Sequence, residues 1–171
     1  AIEYTAAILN AVDAPERDAF MGFVGFEKRY LPKPDSIRSV TGYGMVANFG
    51  EKLVLLGNRS LLLSYNVTPY PQEKEAAIAT GGSLMYCVID GELAASYLIT
   101  YECDQSMKKS AENIAGEFNL IVDTDDCNIT ETMVRKHYDM QNATVIVPDA
   151  NEVQTLFRYN TSTLKHTAED F

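Results

Sequence analysis

Apolar positions recur at helical spacing in Ile2–Val12, where Ile2, Ala6, Leu9 and Val12 fall near one face. A looser stretch, Phe20–Pro34, carries Gly22, Gly25, Pro32 and Pro34. Short runs with strand character follow at Ser36–Thr41, Tyr43–Phe49 and Lys52–Leu56. Gly50-Glu51 between the last two predicts a tight hairpin, because glycine supplies the positive φ such turns need. Asn58 is placed to cap a helix over Arg59–Tyr65, and Pro71–Ala79 predicts another helix that starts on proline.

The second half of the chain alternates. Leu84–Ile89 and Leu93–Tyr101 read as strands joined by Asp90-Gly91, a strong hairpin dipeptide. Asp104 caps a predicted helix over Gln105–Glu117, with Met107, Ala111, Ile114 and Ala115 as its apolar stripe. Phe118–Val122 and Ala143–Val147 are apolar strands, and Asn128–Tyr138 and Asn151–Tyr159 are helical, while the tail from Thr161 is polar. The β-α-β-α-β-α order from residue 93 predicts a parallel sheet covered by helices. The fold class is therefore α/β, with an α+β first half built on an antiparallel layer.

Composition narrows the partners. The 171 residues include 24 acidic and 14 basic side chains, for a net charge of −10. Such a chain is poorly suited to gripping nucleic acid or anionic lipid through bulk charge. Apolar runs such as Leu53–Leu56 and Leu61–Leu63 are far shorter than a bilayer span, and Gly57, Asn58 and Arg59 interrupt them. No secretory signal is expected, and the start at Ala1 without Met suggests a processed chain or a segment of a longer one. Cys87, Cys103 and Cys127 are widely spaced and predict reduced thiols. Asn-x-Ser/Thr triplets at Asn58, Asn66, Asn128, Asn142 and Asn160 are read as structural, two of them at helix starts.

Candidate chemistry sits in three places. Gly42-Tyr43-Gly44, followed by a hairpin and Gly57-Asn58, offers a backbone able to turn sharply or approach a ligand. It lacks the third glycine of a dinucleotide fingerprint, and the chain has no Gly-Lys-Ser/Thr. Asp123-Thr124-Asp125-Asp126 follows a predicted strand, where open α/β sheets bind ligands, and could hold Mg²⁺ or orient a phosphate. The plainer reading, and the favoured one, is an acidic loop before a helix N-terminus. Pro148-Asp149 reads as a turn and cap. His137 and His166 lack zinc-ligand spacing, and no Ser or Cys stands on a nucleophile elbow.

The run Thr41-Gly-Tyr-Gly-Met-Val-Ala-Asn-Phe-Gly-Glu-Lys-Leu-Val-Leu-Leu-Gly-Asn-Arg-Ser-Leu-Leu62 resembles the nucleotide-binding domain of heavy-metal (copper-type) P-type ATPases. Tyr86-Cys-Val-Ile-Asp-Gly-Glu-Leu-Ala-Ala95 resembles the strand pair by which that family's chain leaves its nucleotide domain for a phosphorylation domain of haloacid-dehalogenase-like fold. Gln105–Glu117 and Leu120–Asn128 resemble the next helix and the strand with its Thr-Gly-Asp loop, so the resemblance covers about residues 40–150. It implies a nucleotide-domain-like region over 1–90 and a partial haloacid-dehalogenase-like region over 91–171. It implies further that ATP sits near Gly42, Gly44, Gly57 and Asn58, that Thr124, Asp125 and Asp126 stand at the phosphate loop, and that Mg²⁺ takes part.

The departures are specific. Residues 1–40 hold no Ser-Glu-His-Pro adenine motif, and neither Asp-Lys-Thr-Gly nor Gly-Asp-Gly-x-Asn-Asp occurs. Asp125 stands where the family has glycine, and its carboxylate would repel an incoming phosphate. Phosphoryl transfer needs a nucleophilic Asp and Mg²⁺, so no catalytic residue is assigned. The resemblance implies part of a membrane-spanning cation transporter, on its cytoplasmic face and without direct membrane contact. A non-catalytic interaction or regulatory module on the same scaffold, and a small metal-dependent phosphatase-like enzyme, are the alternatives.

Overall fold

The computed structural model describes residues 1–25, 30–114, 120–122, 124, 126–140 and 144–148. The chain divides into two compact units. The first comprises Ala1–Glu102 with Asp126–Ile129, and the second Cys103–Asp125 with Thr130–Phe171.

The first unit is built on a five-stranded antiparallel sheet in sequence order: β1 (Ser36–Val40), β2 (Gly44–Phe49), β3 (Lys52–Gly57), β4 (Ser83–Ile89) and β5 (Glu92–Ile99). Both short hairpins form as the turn residues predict. Gly50 takes φ 61° between β2 and β3, and Asp90 and Gly91 take φ 51° and 84° between β4 and β5. A bulge at Cys87/Val88 sets Cys87 opposite Ala95 and Val88 opposite Leu93.

Side-chain alternation sends each strand's residues to two cores. Ala47, Phe49, Val54, Leu56, Met85 and Cys87 face one, together with α1 (Ile2–Ala11) and α2 (Arg17–Val24). Val46, Leu55, Leu84, Tyr86 and Val88 face the other, under Leu61 and Leu62 of α3 (Arg59–Ser64). A sheet covered on both faces needs apolar residues at successive positions, which is why β3 and β4 read as unbroken hydrophobic runs. The other helix of this unit, α4 (Gln72–Ile78), contributes no buried residue.

α1 forms where the spacing places it, and of the predicted face Ala6 and Leu9 are buried while the two end positions are not. Thr5, Ala6, Ala7, Ile8 and Leu9 are buried, while Ile2 and Val12 are 43% and 36% exposed. Leu9 joins the core with Phe20 of α2, and the Thr5 hydroxyl bonds the Tyr97 hydroxyl at 3.1 Å. Phe20 in turn meets the Tyr97 ring edge-on at 5.1 Å.

In the second unit, Asp104 caps α5 (Gln105–Ile114) as predicted. Its carboxylate accepts from the backbone N–H groups of Ser106 and Met107 at 2.8 and 3.0 Å. β6 (Leu120–Ile121) and β7 (Val145–Ile146) pair in parallel. Val134 on α6 (Glu131–His137), Met140 and Val145 are buried in this unit.

The α/β expectation holds, with an antiparallel sheet followed by a parallel strand pair. One assignment is corrected. The strand predicted at Leu93–Tyr101 was placed first in the parallel sheet, yet β5 pairs antiparallel with β4 and belongs to the first unit. The contacts separate the two units after Glu102. The predicted helix Asn151–Tyr159 and the polar tail lie outside the described residues.

Candidate functional site

The glycine motifs converge at one end of β2 and β3. Gly44 and Gly57 are direct partners in the strand register. A Cβ on Gly44 would stand 2.3 Å from the Leu56 carbonyl oxygen, and one on Gly57 would stand 2.2 Å from the Tyr43 carbonyl oxygen. Gly44 also takes φ 133°, so both glycines are needed for the strands to approach this closely. Gly42 differs. It takes φ 74° with open space around the position a Cβ would fill. Tyr43, beside it, is 40% exposed.

Asn58 ties these pieces together. Its Oδ1 accepts from the Ser60 and Leu61 N–H groups at 3.0 and 3.2 Å, capping α3. Its Nδ2 donates to the Gly42 carbonyl at 2.7 Å and to the Cys127 carbonyl at 3.2 Å. The Asn58 backbone N–H donates to the Tyr43 carbonyl at 2.9 Å. The structure thus brings together all four residues predicted near nucleotide, and it engages Asn58 fully within the fold.

The expected phosphate-loop residues are described in part. Thr124 belongs to the second unit and Asp126 to the first, and Asp125 and Asp123 lie outside the described residues. Asp126 is only 7% exposed. Tyr101 donates its hydroxyl hydrogen to Asp126 Oδ2. Asn128 donates its backbone N–H to Asp126 Oδ1 at 2.8 Å. The Asn128 side chain reaches both Asp126 Oδ1 and Glu16 Oε1 at 3.0 Å. The predicted helix start at Asn128 is corrected as well: Thr130 caps α6, its hydroxyl accepting from the Met133 N–H at 3.3 Å. Asn128 belongs instead to this inward-facing cluster, and its carbonyl accepts from Ser83 Oγ at 2.9 Å.

Burial, then the neighbouring Asp126 charge, raises the Glu16 carboxyl above the usual glutamate value. Burial raises Tyr101 as well, reinforced by the Asp126 carboxylate. The Cys127 thiol is pushed up to about 12 by burial and by the Asp126 and Glu16 charges. A thiol so disfavoured as thiolate is a poor nucleophile or metal ligand. Among the described residues, no group of three or more His, Cys, Asp or Glu side chains is placed to hold a metal. His137 closes α6, and His166 and Asp149 lie outside the described residues. Glu16 and Tyr101 escaped sequence reasoning: Asn128 reaches Glu16 across 112 residues, and no local pattern marks such a pair.

No protein-family model matches the chain. No curated protein matches it. Among solved structures, it is similar to a zinc-transporting PIB-type ATPase in the E2.Pi state, at 11% sequence identity and a TM-score of 0.44. The match covers 94% of this chain and 26% of the other, so the chain spans about a quarter of that protein's length. No helix of the described residues is long and apolar enough to cross a membrane.

Proposed function

We propose that the chain is the nucleotide-domain-like portion of a larger, P-type ATPase-related cation transporter, held on the cytoplasmic face of the membrane and without catalytic activity as this chain. The observation that carries the reading is the convergence of Gly42, Gly44, Gly57 and Asn58, the motif residues of the sequence resemblance, at one end of the β2–β3 pair.

The fit to ATP is uneven. Open space at Gly42 and the exposed Tyr43 ring leave room for a base beside the loop. Gly44 and Gly57 are closed by opposing backbone, so they support the loop rather than line a ligand. Mg²⁺ does not fit Asp126, whose carboxylate is buried and bonded to Tyr101 and Asn128.

Titration of the ¹⁵N-labelled chain with ATP, with and without Mg²⁺, tests the reading. Saturable shifts at Gly42 and Tyr43 in the micromolar-to-millimolar range are expected. An intact spectrum unmoved by millimolar ATP would overturn it in favour of a non-catalytic interaction module, which the internal commitment of Asn58 favours. Metal-dependent turnover of a generic phosphate ester would displace both.

A further inference from the structure

Glu16 precedes α2, and Asp126 opens the short segment 126–129 that rejoins the first unit. One side-chain nitrogen, Asn128 Nδ2, stands 3.0 Å from an oxygen of each carboxylate. The two oxygens are thus no farther apart than twice that distance, in a place where Asp126 and Asn128 are 7% and 1% exposed and Glu16 is half-buried. Two carboxylates this close, with little water between them, do not both ionise readily.

We propose that Glu16 and Asp126 hold a single proton between them, as a carboxylic acid–carboxylate pair that fastens residues 126–129 to the first unit and releases them as pH rises. The arrangement suits one negative charge. Tyr101 O–H and the Asn128 backbone N–H both donate to Asp126, which leaves the proton to Glu16. Asn128 then bridges the two through its amide. Among the described residues, titratable groups facing the pair include Tyr101 after β5 and Cys127 on the segment itself. Around the start of α2, Arg17 bonds Asp13 and Asp18. The raised Glu16 carboxyl agrees in direction. A carboxyl raised on folding contributes stability that is fully present below its unfolded value of 4.5 and is lost as pH rises through the folded value.

The test is a pH titration of the full chain, following the Glu16 carboxyl by ¹³C NMR and the Asn128 backbone N–H by hydrogen exchange corrected for its intrinsic pH dependence. Glu16 is expected to titrate above an ordinary glutamate. Protection at Asn128 should fall with it, by about tenfold for each pH unit of that displacement. Glu16→Gln, which keeps a donor without a charge, should hold the protection constant across the range. Asp126→Asn should lower the Glu16 midpoint only in part, because burial still raises it while the segment stays docked, and a full return to the ordinary value would report undocking. An ordinary midpoint in the unaltered chain, or lost protection in Glu16→Gln, would overturn the proposal. A transition abolished by millimolar Ca²⁺ would also overturn it, by placing a cation where the proton is assigned.

Discussion

The side chain of Asn58 donates to the carbonyl of Gly42 at 2.7 Å, across sixteen residues of chain. That one bond joins the loop entering β2 to the first turn of α3, and the same amide caps the helix. A glycine loop and a Gly-Asn dipeptide that look like separate signals in the sequence are therefore one structural unit.

Asn58→Ala should lower stability by about 2–3 kcal/mol, from a lost helix cap and two lost hydrogen bonds to backbone carbonyls. Asn58→Ser keeps an acceptor for the cap and should recover about 1 kcal/mol of this. Urea unfolding with unchanged slope measures both.

The glycines should separate sharply. Gly57→Ala forces a Cβ against the Tyr43 carbonyl, and Gly44→Ala against the Leu56 carbonyl, so each should cost about 3 kcal/mol or more. Gly42→Ala meets no atom and carries only the left-handed backbone penalty, about 1 kcal/mol. Thermal melting of the three variants side by side reads the difference. Only Gly42 is thus a fair position for probing a ligand without disturbing the strands.

The three thiols should react at different rates. Cys87 is buried with its pKa raised, chiefly by burial. Cys127 is pushed up to about 12. At pH 8 only about one Cys127 in ten thousand is thiolate, so a thiol reagent should label half-buried Cys103 first. Peptide mapping after brief labelling identifies the site; Cys103 and Cys127 are both half-buried, so early labelling of Cys127 would contradict its raised pKa.

Acid should loosen α5 from its N-terminal end. The Asp104 carboxyl lies below its ordinary value of 3.8, chiefly through its bond with the Ser106 hydroxyl and then through the Met107 and Ser106 N–H groups. A lowered carboxyl contributes stability above its unfolded value and loses it as pH falls through the folded one. Amide protection at Ser106 and Met107 should therefore drop below about pH 4, and Asp104→Ala should show that loss at neutral pH.

The hairpins were legible because their signals are local: Gly50-Glu51 and Asp90-Gly91 set the turns, and the flanking apolar runs set the strands. The partner of β5 was less so. Leu93–Ile99 has the composition of a strand in either direction, and the helix after it suggested a crossover that does not govern its pairing. Asn128 has the residue type of a cap, but Thr130 takes that place, because Asn128 is held by Glu16, Asp126 and Ser83 from distant parts of the chain. Thr5 of α1 is buried too, and the hydroxyl it meets, that of Tyr97, lies 92 residues away where no local pattern marks it.

Residues 126–129 make the first unit discontinuous in sequence, and this bears on how the protein can be shortened. A fragment stopped at Glu102 would strip Tyr101, Ser83 and Asn58 of acceptors at one stroke. A workable minimal version would have to splice those four residues back, through a linker or as an added peptide, before its sheet could stand alone.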